Sequence, residues 1–148
     1  MPDQTITVSL AQQRDYQFAV VFSGGVPDLL SDEPVSLGEA KGLSPVQLLA
    51  AAVGNCLSDS LLFALRKYKQ SPEPMSCVIQ AHVGRNEQGR TRVLAMDARL
   101  RLGVAADSLQ HLDRVLEQFE EFCTVTQSVR AGIPVTVHVS DANGVVLK

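Results

Sequence analysis

The chain has 148 residues, of which 45% are hydrophobic and 20% charged, and its formal net charge is −3. This length and composition predict one globular domain, residues 1–148, with a sizeable core. The acidic balance argues against a nucleic-acid partner, and no run of like charges indicates a membrane-surface helix.

Two segments near the N-terminus have the composition of β-strands. Residues 5–10 and 16–22 are rich in β-branched and aromatic side chains, and the polar residues 12–15 between them predict a hairpin turn that contains Arg14. No basic start is followed by a long apolar core, so we expect no secretion signal. Glycines and prolines then recur over residues 23–42, which predicts a loop.

A long helix is predicted to begin at Pro45 and to end near Tyr68. Ser44 can cap its free backbone N–H groups, and proline suits the first helical position. The first half is apolar almost all round, which predicts burial on every side. Residues 42–64 are long enough to cross a bilayer, but they contain several polar side chains, Asp59 among them. We therefore expect a central core helix and no membrane partner.

Two alternating strands follow this helix. One face of the first strand carries Cys77, Ile79, Ala81 and Val83, and one face of the second carries Leu94, Met96, Ala98, Leu100 and Leu102. Such alternation is typical of half-buried strands, and residues 86–89 form the predicted turn between them.

A second helix is predicted to begin with an N-cap at Asp107, with Gln110 as the capping-box partner. Its apolar stripe consists of Leu109, Leu112, Val115, Leu116, Phe119 and Phe122. Cys123 follows this stripe, near the N-terminus of a short helical turn over residues 124–129. A last strand is predicted from Ile133 to Val139, where apolar residues alternate again.

The chain has three cysteines, Cys56, Cys77 and Cys123. Their odd number and wide spacing favour free thiols over a disulfide framework, so we expect a reducing, cytoplasmic location. Cys77 lies on the apolar face of a strand and is expected to be a core residue. The histidines have no metal-ligand spacing with the cysteines, and no phosphate-binding loop or nucleophile motif is present. We therefore expect no metal and no cofactor.

Two interpretations stay open for each of the other cysteines. Cys56 follows a run of small residues in the apolar helix, where a cysteine is commonly a core residue. However, its neighbours Asn55, Ser58 and Asp59 are polar, which is unusual for a position of pure packing. Cys123 is either a packing residue at a helix end or a thiol whose ionised form a helix N-terminus stabilises.

Three segments taken in order resemble the OsmC/Ohr family, the osmotically induced and organic hydroperoxide resistance proteins. They are the loop DEPVSLGEAKGLSP, the helix SPVQLLAAAVGNCLSDSL, and FEEFCTVTQSV followed by IPVTVHV. In this family a proline-initiated helix carries one cysteine, and a second cysteine opens a short motif near the C-terminus. The resemblance implies an α+β fold with two small antiparallel sheets wrapped around central helices in an interlocked homodimer.

The resemblance also implies a thiol peroxidase that reduces organic hydroperoxides. By position, Cys56 matches the peroxidatic cysteine, which attacks the O–O bond and becomes a sulfenic acid. Cys123 matches the resolving cysteine, which condenses with that acid to a disulfide, and an external dithiol reductant then restores both thiols.

The chain departs from the family pattern at the helix start. Peroxidase members of the family usually have a glutamate directly after the helix-starting proline, and it holds an arginine that stabilises the thiolate; this chain has Val46 there. A proline often follows the second cysteine in the family, and this chain has Thr124 there. Arg14 is the only arginine before the helix, so it is the candidate activating cation unless a partner chain supplies one. A buried cysteine without a neighbouring cation should have a raised pKa and react slowly.

These departures place the chain closer to the OsmC-like branch with a DEP-type loop than to the hydroperoxide reductases. They leave an alternative open, a non-enzymatic OsmC-like protein that binds a small apolar ligand or senses redox state. A purely structural dimerisation module is the weakest hypothesis.

Overall fold

The computed structural model describes residues 2–148. The chain divides into two compact units, the first ending at Leu48 and the second spanning Leu49–Lys148. Each unit contains one three-stranded sheet, and the helices complete a mixed α+β fold. The α+β class and the two small sheets predicted from the sequence are therefore confirmed. The single domain over residues 1–148 and the interlocked homodimer stay predictions.

The first unit is built on an antiparallel sheet. Its strands are β1 (Val8–Arg14), β2 (Gln17–Phe22) and β3 (Leu29–Ser31), in that order. The hairpin loop is shorter than predicted, because Gln12 still pairs with Phe18 and only Asp15 and Tyr16 turn the chain. Asp15 has a positive φ of 49°, a conformation that aspartate tolerates in tight turns. The sequence also missed β3, which is too short for a periodic pattern.

A buried carboxylate organises the loop after β3. Asp32 accepts hydrogen bonds from the backbone N–H groups of Glu33 at 2.8 Å, Glu39 at 3.2 Å and Lys41 at 3.1 Å. Burial alone would raise the pKa of Asp32, but these N–H groups lower it below its ordinary value. A Cβ added at Gly38 would lie 2.4 Å from Asp32 Oδ1, so the loop requires glycine there.

The long helix α1 spans Pro45–Lys67, close to its predicted bounds. Ser44 Oγ accepts the Gln47 N–H at 3.2 Å, and the Gln47 side chain accepts the Ser44 N–H at 2.9 Å, which completes a capping box. By length and composition alone α1 could cross a membrane, a property that core helices of globular proteins share.

The prediction that the first half of α1 is buried on every side is wrong for the single chain. One stripe is buried, and it consists of Ala50, Val53, Gly54, Leu57, Leu61 and Leu65. Ala51, Ala52 and Phe63 are exposed, because one three-stranded sheet can cover only one face of a helix. The buried leucines pack with Met96 and Leu100, and burying each such side chain contributes about 2 kcal/mol.

The second sheet is mixed, which corrects the prediction of two antiparallel sheets. Its strands are β4 (Ser76–Arg85), β5 (Thr91–Arg101) and β6 (Val135–Ser140). The pair β4–β5 is antiparallel, whereas β5 and β6 are parallel. A parallel pair needs a long crossover, and here the helical segment between β5 and β6 supplies it. The strand β6 begins two residues later than predicted.

A bulge between His82 and Val83 alters the faces of the β4–β5 hairpin. The extra residue is Leu94 of β5, which was predicted to face the core but is 45% exposed, and Val93 packs against the core instead. Val83 of β4 stays opposite Val93, but it is 52% exposed and does not join the core. One extra residue in a strand moves the following side chains to the other face. Beyond the bulge the predicted core face is confirmed, with its β5 members from Met96 onward buried.

The predicted second helix is interrupted, and its capping box does not form. A short 3₁₀ turn at Ala106–Ser108 precedes helix α2, Leu112–Gln118. The Gln110 N–H, which Asp107 was predicted to accept, donates to the Gln70 side chain at 2.9 Å. His111 occupies the N-cap position of α2 with a positive φ of 60°, and its ring stacks on that of Tyr68, with 4.7 Å between the two centroids. The helix therefore starts after the predicted cap.

The segment after α2 carries Cys123. A 3₁₀ turn at Phe119–Phe122 leads into helix α3, Thr124–Arg130. Cys123 lies at the N-terminus of this helix, as predicted, and occupies its N-cap position. Phe119 is fully buried, whereas Phe122 is 72% exposed and does not join the predicted stripe. The 3₁₀ turn has a different periodicity from an α-helix, so the stripe ends at Phe119.

Candidate active site

Cys56 and Cys123 belong to the same core cluster of the second unit, where the Cys123 side chain lies close enough to Cys56 to raise the pKa of its thiol. Cys56 lies in the middle of α1, beside the buried Val53 and Leu57, and is partly buried. Cys123 is fully buried at the N-cap of α3. Both are free thiols. Two of the three predicted site residues are thus brought together.

Local backbone bonds hold Cys123 in place. Its N–H donates to the Glu120 carbonyl at 3.1 Å, and its carbonyl accepts the Gln127 N–H at 2.9 Å. The first bond closes the 3₁₀ turn and the second opens α3. Because Phe119 anchors this turn in the core, the Cys123 side chain is held in the interior.

The environment of Cys56 favours the neutral thiol. Burial raises its pKa, and the neighbouring Cys123 side chain raises it further. The backbone N–H groups of Val125 and Thr126, in the first turn of α3, act in the opposite direction but do not outweigh burial. The raised pKa of Cys56 agrees with the prediction for a cysteine buried in a helix.

Thr126 contacts both cysteines, and sequence reasoning did not single it out. Its side chain is fully buried, and Oγ1 accepts a hydrogen bond from Cys123 Sγ at 3.0 Å. Its backbone N–H is one of the two that lower the pKa of Cys56. The signal available in the sequence was its position three residues after Cys123, in the first turn of a predicted helix.

An ion-pair cluster fixes the turn before Cys123. The carboxylate of Glu120 pairs with Arg130 at 2.7 Å and with Lys148. The Lys148 ammonium also donates to the Leu116 carbonyl at 2.9 Å and lies 5.4 Å from the centre of the Phe119 ring. Burial works against the Glu120 charge, but the two cations outweigh it and lower the pKa of this carboxyl.

Arg14, the third predicted site residue, lies in the first unit. Its guanidinium pairs with Glu39 at 3.0 Å, and Lys41 pairs with the same carboxylate at 2.7 Å. The hydrogen bond and charge of Lys41, and then the charge of Arg14, lower the pKa of Glu39. Glu39 thus holds an arginine although Val46 stands where the family has its glutamate. The sequence did not single out Glu39, because a loop has no pattern that predicts such a pair.

Cys77 packs against the core, as predicted. It lines an open cavity of about 280 Å³ between α1 and β4, together with Gly54, Ser58 and Ile79. Burial raises the pKa of Cys77, while a hydrogen bond with the Ser58 side chain lowers it. Gly54 and Ser58 lie on the opposite face of α1 from Cys56. Cys77 is therefore separate from the Cys56–Cys123 pair.

A small apolar cavity of about 150 Å³ adjoins the segments that carry the two cysteines. Its lining includes Phe63 and Phe122, which are 69% and 72% exposed. Phe63 lies two turns from Cys56 on the same helix face, and Phe122 immediately precedes Cys123. This cavity could hold an apolar group of about the size of a small aromatic ring.

The histidines are not arranged as metal ligands. Among residues 2–148, no group of three or more His, Cys, Asp or Glu side chains is placed to hold a metal ion. His138 instead lies 3.2 Å from Asp97, which also pairs with Arg99 on the outer face of the sheet.

The sequence profile of one protein family, described as OsmC-like protein, matches residues 38–138. No curated protein matches the chain in sequence. In fold, the chain is similar to an OsmC-like protein of unknown function from Vibrio cholerae, with 18% identity and a TM-score of 0.78 over 93% of this chain and 99% of that one.

Two further solved structures share this fold. An organic hydroperoxide resistance protein from Legionella pneumophila is 18% identical, with a TM-score of 0.73 over 95% of this chain and 99% of that chain. One from Bacillus subtilis is 16% identical, with a TM-score of 0.68 over 92% and 98%. At such identities the likeness establishes a common fold.

Proposed function

The chain belongs to the OsmC-like protein family, and we propose that it is a thiol peroxidase that reduces organic hydroperoxides. The Cys56 thiolate attacks the O–O bond, the alcohol leaves, and Cys56 becomes a sulfenic acid. Cys123 condenses with this acid to form a disulfide and water. An external dithiol then reduces the disulfide to two thiols.

The proximity of Cys56 and Cys123 is the observation that carries this proposal, since both belong to one core cluster and the Cys123 side chain acts on the pKa of Cys56. A sulfenic acid needs a second thiol within reach if it is to be resolved before further oxidation. The two residues come from separate helices, and both are free. Their contact supports a redox pair over two unrelated packing residues.

Two observations support an organic hydroperoxide as the substrate. Proteins of the same fold include organic hydroperoxide resistance proteins from Legionella pneumophila and Bacillus subtilis. In addition, the cavity bordered by Phe63 and Phe122 adjoins the cysteine segments and is largely apolar. An alkyl or aryl group would gain from burial there, whereas hydrogen peroxide has no such group.

The proposed mechanism requires a fraction of Cys56 to ionise although its pKa is raised. The backbone N–H groups of Val125 and Thr126 stabilise the thiolate, and we propose Arg14, held by Glu39, as the activating cation. A cation from the partner subunit of the proposed homodimer is the other source.

Steady-state turnover tests the proposal. The protein is mixed with cumene hydroperoxide and excess dithiothreitol, and loss of peroxide is followed. Cys56→Ser should abolish dithiol-dependent turnover, and Cys77→Ser, the matched control at the third thiol, should keep it. Turnover by Cys56→Ser at the parent rate would refute the proposal.

Redox sensing or ligand binding without turnover is the second candidate function. The raised pKa of Cys56 favours it, because a mostly neutral thiol reacts slowly. Native mass spectrometry of the purified protein would then show a small apolar ligand, and turnover would be negligible. Fast turnover without any bound ligand would exclude this candidate.

A further inference from the structure

Thr126 is placed to act on the chemistry of the sulfur pair. We propose that its hydroxyl is a catalytic group in the step in which Cys123 attacks the oxidised Cys56. This inference rests on the proposed function for its reaction, but the contact on which it depends is independent of the substrate.

The burial of Thr126 is the first support. Its side chain has no exposure to solvent, and its hydroxyl lies 3.0 Å from Cys123 Sγ. A buried hydroxyl costs free energy unless it is hydrogen-bonded, and valine would fill the same volume without that cost. The hydroxyl is therefore best explained by its bond to Cys123.

The isolation of Cys123 from water is the second support. Its side chain is 0% exposed, so solvent cannot accept its proton or solvate its thiolate. A threonine hydroxyl both accepts and donates hydrogen bonds. In the resting protein Oγ1 accepts a hydrogen bond from the S–H group of Cys123. After rotation about its C–O bond, the hydroxyl can donate a hydrogen bond to the Cys123 thiolate.

The resolving step joins the two sulfurs and releases water. The Cys123 thiol gives up its proton, and its sulfur attacks the sulfur of the Cys56 sulfenic acid. The S–S bond forms and the S–O bond breaks. The departing hydroxide takes up the released proton as water, so the Cys123 sulfur is oxidised and the Cys56 sulfur is reduced, each by one electron.

The backbone and side chain of Thr126 act on different sulfurs. A substitution of the side chain can therefore distinguish the attack by Cys123 from the earlier reaction of Cys56 with peroxide. The backbone N–H faces Cys56 and is retained in any substitution except proline. The hydroxyl faces Cys123. Thr126→Val should thus spare the reaction of Cys56 with peroxide and slow only its resolution.

The test uses one equivalent of cumene hydroperoxide in a Cys77→Ser background, where two thiols remain. Peroxide loss reports the first step, and mass spectrometry without reduction reports the disulfide. Thr126→Val should change the first rate by less than about twofold and slow disulfide formation by about tenfold, with more trappable sulfenic acid. Thr126→Ser, which keeps the hydroxyl, should resolve within about threefold of the parent rate.

A second arm does not depend on peroxide. Ellman's reagent places a thionitrobenzoate group on Cys56, and attack by Cys123 then releases the coloured thiolate as the S–S bond is exchanged. The same roughly tenfold slowing is expected in Thr126→Val, and again in Thr126→Ala if valine impairs folding.

The outcomes separate the two claims. If the parent protein does not react with cumene hydroperoxide, but Thr126→Val still slows thiol exchange after Ellman's reagent, the peroxidase activity is refuted. The role of Thr126 in the attack by Cys123 is then supported. A Thr126→Val protein that is folded by circular dichroism and closes the disulfide at the parent rate in both arms would overturn the inference alone.

Discussion

Cys123 lies beside Cys56 in the core of the second unit and raises the pKa of its thiol, although Cys56 comes from α1 and Cys123 from the start of α3. Oxidation of the reduced protein should therefore give a Cys56–Cys123 disulfide and leave Cys77 free. Peptide mapping without reduction, after cumene hydroperoxide treatment, checks this. A disulfide that involves Cys77 would contradict the pairing.

The pH dependence of Cys56 reactivity follows from its raised pKa. Burial, and then the neighbouring Cys123 side chain, favour the neutral thiol of Cys56. The rate of alkylation should therefore be low at pH 7, and it should still be increasing at pH values above the ordinary cysteine pKa of about 8.5. Cys123→Ala removes the second cause, so the Cys56 pKa should fall. Iodoacetamide labelling against pH in a Cys77→Ser background measures both. An unchanged midpoint in Cys123→Ala would mean that the Cys123 side chain has no influence.

The Glu120 cluster should contribute to stability in a pH-dependent way. Glu120→Gln leaves Arg130 and Lys148 without their carboxylate and should lower the free energy of unfolding by about 1–3 kcal/mol at pH 7. Because the cations lower the pKa of Glu120 despite its burial, this stabilisation exists above the unfolded pKa of about 4.3 and is lost as pH falls through the folded value.

Urea unfolding at pH 7 and pH 3 checks the Glu120 prediction, with the more exposed Arg66–Glu73 pair as the matched control. Glu73→Gln should have little measurable effect, because exposed ion pairs are weak. Equal effects of the two substitutions at pH 7 would show that the Glu120 cluster is no stronger than a surface pair.

The loop around Asp32 leaves no room for a side chain at Gly38. Gly38→Ala should destabilise the protein by about 1–3 kcal/mol, because the new Cβ meets the Asp32 carboxylate and the Glu33 carbonyl, each at 2.4 Å. Gly132→Ala is the matched control, since its added Cβ meets no atom within 4 Å. Urea midpoints compare the two, and a neutral Gly38→Ala would show that the loop can rearrange.

Arg14 and Glu39 should act together if Arg14 activates Cys56. Arg14→Met should slow sulfenic acid formation by about tenfold, and Glu39→Gln should slow it less, because the arginine remains but loses its partner. Arg85→Met, which removes an arginine at the end of β4, should have no effect. Peroxide loss in single turnover measures all three. An unaffected Arg14→Met would assign the cation to another residue.

Much of the fold could be predicted from the sequence because its signals are local. The capping of α1 by Ser44 and the position of Cys123 at a helix start depend on a few adjacent residues. The parallel pairing of β5 with β6 could not be predicted, because alternation within a strand does not encode the direction of its neighbour.

The site was only partly predictable for the same reason. The two cysteines stood out by residue type, but the contacts of Thr126 and Glu39 depend on how distant segments meet. Gln70 is one example, because its side chain accepts the hydrogen bond from the Gln110 N–H that was predicted to go to Asp107. Long-range hydrogen bonds of this kind leave no pattern along the chain.

The mass of Cys123→Ser after one equivalent of cumene hydroperoxide tests the central claim most directly. Without its partner thiol, the protein should gain one oxygen atom as a trappable sulfenic acid, and fragmentation should place that atom on Cys56. An unmodified protein, or an oxygen atom on Cys77 instead, would contradict the account.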